Sequence, residues 1–280
     1  MTRMSPSFVR LLLEATQRLF ADEAIPLAGN IAFRTVFSLF PFLIFLTALA
    51  GFLGTEEQAE QLVNYLLAIA PEAIIKPLAP EIRSILTVPR TGLLSIAVVL
   101  TIWSAMAGVD SVRVGLNRAY DLKEHRPAWL LYILNIIFVI GTAAVMIAFS
   151  FLLIVLPIAV ATMEKYIPGT RENFNTIVQF RYPLAMSLLF AGLHVAHRTL
   201  PAKRMSPIKV LPGILLTLVV WVLLTSAFSE WLQNFNSFAS TYASLSGLFA
   251  AMFFIYLASL VLIFGGEFNR VLDQHLGQSR

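Results

Sequence analysis

Residues 127–163, PAWLLYILNIIFVIGTAAVMIAFSFLLIVLPIAVATM, contain no charged side chain. A helix needs about 20 apolar residues to cross the ~30 Å hydrocarbon core of a bilayer. This stretch exceeds that need, so it predicts a span that tilts or extends along the interface, ended or bent at Pro157. Five further apolar runs accompany it. Together the spans read as residues 31–53, 93–112, 130–156, 182–200, 210–229 and 245–266, separated by charged loops. A soluble chain of 280 residues cannot bury that much continuous apolar sequence. The expected fold is all-α: a polytopic membrane protein with six transmembrane helices, a single six-span domain over residues 1–280.

Composition agrees. Hydrophobic residues make up 58% and charged residues 13% of the chain, against roughly 25% charged in soluble domains. The basic residues are dispersed rather than clustered, which gives no nucleic-acid partner and is explained by the tendency of positive loops to stay cytoplasmic. The N-terminal segment, the loops after spans two and four, and the C-terminus hold 13 Lys and Arg; the opposite loops hold 6. This bias places both termini in the cytoplasm, as an even number of spans also requires for termini on one side. There is no cysteine, hence no disulfide or thiol nucleophile. No cleaved signal peptide is expected.

Residues 5–24 read as an amphipathic helix within residues 1–30. Phe8, Val9, Leu12, Leu13, Leu19 and Phe20 fall on one arc, and Arg10, Glu14, Gln17 and Arg18 on the other. Such a helix either lies in the cytoplasmic interface or packs under the bundle. Residues 54–92, with Pro71, Pro77, Pro80 and Pro89, are expected to form an outer loop with short helices. Loops 162–181 and 233–244 are expected on the same outer side. No internal repeat is visible.

Polar residues in or beside the spans are the candidate functional groups, because placing them in lipid is costly. Asn30, Arg34 and Ser38 recur every four residues and share a face of span one; Arg34 either snorkels to the headgroups or lines a cavity. Pro41, mid-span, marks a helix kink. Asp110, Arg113, Asn117 and Asp121 follow a similar spacing on a span-two helix that continues past the membrane, with Arg118 beside them; Asp110 and Arg113 can pair locally. His194 and His197, three apart, read as an interfacial polar cap, since no HExxH-type carboxylate accompanies them as in a metal site. Gly265 and Gly266 allow close helix packing. Glu267 and Asn269 follow, and a buried Glu267 needs a cation, with Arg34, Arg113 and Arg118 as the candidates. All these positions, with Asn135, fall toward one side in the expected topology. They predict a polar, net cationic cavity facing the cytoplasm, suited to an anionic headgroup. The simpler alternative is that the bases only set topology. No cofactor and no metal is implied.

Four segments, AGNIAFRTVFSLFPFLIFL (28–46), IWSAMAGVDSVRVGLNRAYD (102–121), RTLPAKRMSPIKVLPGILLTLVVW (198–221) and TYASLSGLFAAMFFIYLASLVLIFGGEFN (241–269), resemble the YihY/BrkB family of bacterial inner-membrane proteins. The likeness runs through nearly the whole chain in order. Phe33, Ser38, Phe40, Pro41, Asn117, Arg118, Tyr120, Pro201, Pro212, Gly213, Glu267 and Asn269 fit its signatures. Arg34 departs, standing where the family resemblance implies an aromatic residue, as does Ala243 in place of glycine. The resemblance implies a multi-pass inner-membrane protein, for which lipid or envelope-component transport is a reasonable role, and it brings the old label ribonuclease BN.

Four functions follow. The first is handling or translocation of phospholipid or a related anionic envelope lipid; with no GxxxxGK[ST] motif, its energy must come from a gradient, a partner or downhill flow. The others are a membrane scaffold docking an envelope protein partner through residues 54–92, a small-solute permease, and an enzyme. The nuclease reading is rejected: Asp110, Asp121, Glu124 and His125 are ordinary for such a loop, and no basic groove with interleaved aromatics serves RNA. The oligomeric state is open.

Overall fold

The computed structural model describes residues 7–53, 55–57, 60–61, 63–64, 80, 84, 91–167, 169–234 and 239–277. Its elements are α1 (Phe8–Ala21), α2 (Ala24–Leu53), α3 (Thr91–Ala119), α4 (Ala128–Ser150), a π turn (Phe151–Val155), α5 (Leu156–Glu164), α6 (Thr170–Thr199), α7 (Leu211–Asn234) and α8 (Ala239–Gly277). Six stretches are long and apolar enough to cross a membrane: Ala24–Gly51, Gly92–Ala119, Ala128–Glu164, Phe174–Thr199, Leu211–Leu232 and Gly247–Leu276. The protein is an all-helical multi-pass membrane protein. Most of the outer loop expected over 54–92 lies outside the described residues.

Burial is inverted relative to a soluble protein. Ile147 and Leu223 are 71% and 64% exposed, while Glu267, His197 and Thr217 are fully buried. Apolar side chains lose nothing by facing lipid, so the interior collects small and polar residues that helices must share.

Several boundaries differ from the sequence expectation. The long apolar stretch does not end at Pro157. Proline has no N–H to offer the Leu153 carbonyl, and the π turn placed just before it widens the hydrogen-bond ladder instead of breaking it. Helix α6 begins at Thr170, passes through Pro183, and shrinks the expected 162–181 loop to residues 165–169. Asp121 is not on a helical face. It adopts φ 54° after the end of α3, with Asp121 N–H donating to Arg118 O (2.9 Å) and Leu122 N–H to Asn117 O (2.8 Å), the paired bonds of a left-handed helix cap.

The chain divides into two compact units. Residues 34–108 form one, from most of α2 and the first part of α3. Within it the Arg34 guanidinium donates to Ala107 O (3.3 Å) and the Ser38 hydroxyl to Thr35 O (2.7 Å). Helix α2 runs unbroken through Pro41.

Residues 1–33 and 109–280 form the other unit. Leu116, Leu193, Val210, Ile214 and Leu262 centre one cluster; Leu19, Ala24, Ala28, Ile31, Ala119 and Ile263 a second; Leu11, Ala15, Phe268 and Val271 a third. Helix α1 has two apolar faces, one packed against the rest of the unit and one exposed. Leu11, Ala15 and Leu19 are buried, while Phe8, Val9, Leu13 and Phe20 are each about 60% exposed. The expected arc therefore mixes the two: Leu19 is packed and Leu12 half-buried, while Phe8, Val9, Leu13 and Phe20 face outward. Helices α7 and α8 cross backbone to backbone: a Cβ on Gly213 would collide with Gly265 O and the Asn269 side chain, and one on Gly265 with the Thr217 hydroxyl. A Cβ on Gly266 would stand 2.9 Å from that of Ala119.

Candidate functional site

In the larger unit the polar residues gather where α3, α6 and α8 end and α4 and α7 begin. They form three connected groups, each held by bonds between elements far apart in sequence.

The first surrounds Arg113. Its guanidinium donates to Asp110 Oδ1 (2.7 Å) and pairs with Glu124. Glu124 also accepts from Arg126 Nε (2.8 Å) and Asn117 Nδ2 (3.1 Å). Arg126 and, after it, Arg113 and Asn117 hold the Glu124 carboxyl below the usual carboxylate range, against the opposing effect of burial. Arg126 further donates to Leu200 O (2.7 Å) and Thr199 O (3.4 Å). It caps the C-terminus of α6, where free carbonyls and the helix dipole favour a cation. Asn117 Oδ1 accepts from the Ala202 N–H (2.7 Å) and so pins the loop after α6. Asn135 Nδ2 reaches Asp110 from α4 at 3.5 Å, while its Oδ1 is buried with no partner among the described residues.

The second group is Tyr120, His197 and Asn269, all buried. Asn269 Nδ2 donates to Tyr120 OH (3.1 Å) and Val210 O (3.0 Å), and its Oδ1 accepts from Gly213 N–H (2.6 Å). The phenol proton is then free for His197 Nδ1, 2.8 Å away. Burial pushes the Tyr120 phenol above its ordinary range, partly offset by the Asn269 bond. Asn269 thereby satisfies a helix start, a phenol and a glycine crossing at once.

The third group centres on Arg270. It donates to Asp22 Oδ2 (2.9 Å) and Asp121 Oδ2 (2.9 Å), and approaches Glu267 Oε2 only at 3.9 Å. Arg118 Nε lies 3.5 Å from Asp22 Oδ1. Glu267 therefore has as its nearest cation the residue three positions on, not Arg34, Arg113 or Arg118. Beside this group a polar cavity of about 210 Å³ is lined by Tyr120, Lys209, Asn269, Arg270 and Asp273, among others.

Of the residues singled out in the sequence, Asp110, Arg113 and Asn117 fall in the first group, Asn269 in the second, and Arg118 and Glu267 in the third. Asn30, on α2, approaches Ser111 Oγ at 3.4 Å. Arg34 and Ser38 belong to the other unit. Sequence reading missed Arg126, Arg270 and Asp22. It gave His197 no partner, because Tyr120 lies 77 positions away. Asp110, Asp121, Glu124 and His125 do not form a metal cradle: among the described residues no three metal-ligating side chains converge, and Arg113 occupies Asp110 and Glu124.

Two apolar grooves lie within the spans of the same unit. One, about 430 Å³, runs between α4 and α6 past Phe138, Gly141, Val145, Leu189 and Gly192. The other, about 450 Å³, is lined by Phe149, Met186, Val222 and Phe254, and Leu189 and Trp221 line both. A Cβ on Gly141 or Gly192 would meet nothing within 4 Å. The lining of the first groove includes Ile137 and Ala196, two positions after Asn135 and three before Thr199, whose carbonyl Arg126 caps.

The chain is 27% identical to YfkH of Bacillus subtilis, which carries a ribonuclease-like name, over 94% of this chain and 95% of that one. It is 23% identical to a UPF0761 membrane protein of Alteromonas mediterranea, over 88% and 82% of the two chains. No solved structure matches it. The family described as virulence factor BrkB matches residues 15–280, and the chain belongs to that family.

Proposed function

We propose that this protein is a bacterial inner-membrane protein that handles or translocates phospholipid or a related anionic envelope lipid, with both termini in the cytoplasm. One observation carries the reading: two apolar grooves inside the spans share Leu189 and Trp221, and the first is lined up to Ile137 and Ala196, within one helical turn of Asn135 and Thr199 in the arginine-rich polar cluster of the same unit. Hydrocarbon is the only abundant occupant for a groove at bilayer depth. Arginine suits the phosphate of a headgroup, which it can bind through two donors. The excess of basic residues at the ends that hold this cluster supports its cytoplasmic placement.

Reconstitution in liposomes with labelled phospholipid tests it. Translocation above that of empty vesicles is expected, with a clear fall in Gly141→Leu and Gly192→Leu, which fill the groove where the backbone leaves open space. Translocation equal to empty vesicles, with no lipid bound to the purified protein, would sink the reading.

A further inference from the structure

Glu267 is fully buried on α8, and neither carboxylate oxygen accepts a hydrogen bond from any described residue. Its nearest cation, Arg270, stands at 3.9 Å and is spent on Asp22 and Asp121. The groups that face Glu267 are Asp22 from the turn between α1 and α2, Arg18 from α1 and Arg270 from α8, with Tyr120 from the end of α3. Arg18 is itself committed to Glu14 (3.3 Å) and Gln274 (2.7 Å). Asp22 Oδ2 and Glu267 Oε2 both approach the same Arg270 Nη1, at 2.9 and 3.9 Å, which brings the two carboxylates close together.

Charge counting makes the arrangement informative. Asp22 and Asp121 are matched by Arg118 and Arg270. An ionised Glu267 would add a buried negative charge beside Asp22, with no donor to stabilise it. Two carboxylates in one desolvated place cannot both stay ionised, and a proton shared between them removes the conflict. A Glu267 hydroxyl donating to Asp22 would also satisfy one of the two orphaned oxygens.

We propose that Glu267 and Asp22 form a proton-binding site, and that its occupancy keeps α1 seated on α8. Asp22 closes the turn that follows α1, and it is tied to α8 through Arg270. When the proton leaves to the aqueous phase, Asp22 and Glu267 repel each other and compete for that one guanidinium. The turn then loses its hold, and α1 keeps the apolar contact of Leu11 and Ala15 with Phe268 and Val271 and the polar ties Glu14–His275 (2.9 Å) and Arg18–Gln274. The site holds whatever the protein carries, so its failure would not touch the lipid reading.

Infrared spectroscopy of the purified protein tests it. A protonated-carboxyl carbonyl band at neutral pH, shifted in D2O and lost in Glu267→Gln, is expected. Hydrogen exchange of α1, corrected for the intrinsic effect of pH, should rise at alkaline pH in the wild type. That rise should vanish in Glu267→Gln and persist in His275→Gln. If Glu267→Gln does not fold, Asp22→Ala should shift the band by removing its acceptor. Absence of the band at neutral pH, its persistence in Glu267→Gln, or α1 exchange indifferent to Glu267→Gln would each overturn the proposal.

Discussion

At the scale of single residues, Asn269 bears the greatest demand. Replacing it with alanine strands the buried Gly213 N–H and takes one donor each from the Val210 carbonyl and the Tyr120 hydroxyl, which keep Ile214 N–H and His197 Nδ1. At about 1–3 kcal/mol for an unsatisfied group, Asn269→Ala should lower the thermal midpoint in a detergent melting assay. Gly213→Ala should be at least as damaging, because its methyl has no room against Gly265 and Asn269, whereas Gly141→Ala should melt near the wild type. Glu124 makes the pH prediction. Its carboxyl is held below the ordinary value of 4.5 by Arg126, Arg113 and Asn117. A depressed acid stabilises the fold fully above its unfolded pKa and progressively less as pH falls toward its folded one. Stability should therefore decline below about pH 4.5, and Glu124→Gln should flatten that decline. At neutral pH the same change should cost about 3 kcal/mol, since it leaves Arg113 without one of its two carboxylates.

At the scale of elements, the sequence was readable where signals are local. Apolar length marked the six spans, and i,i+3 spacing marked Asp110 with Arg113. Small residues marked Gly265 and Gly266, but the residues they pack against, Gly213 and Ala119, lie far earlier in the chain. Nothing in a one-dimensional pattern couples Tyr120 to His197 or Arg126 to the carbonyls of α6. The π turn was hidden for another reason: a proline in an apolar run announces a break, and the compensating wide turn has no composition of its own. Arg270 was overlooked as a partner of Glu267 although it obeys the spacing that found Arg113, because it sits past the apolar run. Helix α1 yields its own prediction. Its first turn is capped by the Ser7 hydroxyl, which accepts from Arg10 N–H at 3.3 Å, and Ser7→Ala should cost about 1 kcal/mol, seen as faster exchange confined to that helix.

At the scale of the whole molecule, the polar groups tie the ends of α3, α6 and α8 to the starts of α4 and α7. Reporter fusions at residue 123, residue 203 and the C-terminus should therefore all report one side of the membrane, the cytoplasmic side on the charge bias, and a fusion near residue 167 the other. A split among the first three would contradict the ion pairs that join them. The stretch from Ala128 to Glu164 reaches further than topology. Its 37 residues, at 1.5 Å each, extend about 55 Å, and a tilt of about 40° still leaves about 42 Å along the membrane normal. A hydrocarbon layer of about 30 Å leaves about 12 Å of that to the headgroup regions, which add about 10–15 Å to the bilayer. The helix is thus long enough to run from one headgroup layer into the other, and thin membranes, which can meet it only by further tilt or local thickening, should be the ones in which it is least at ease.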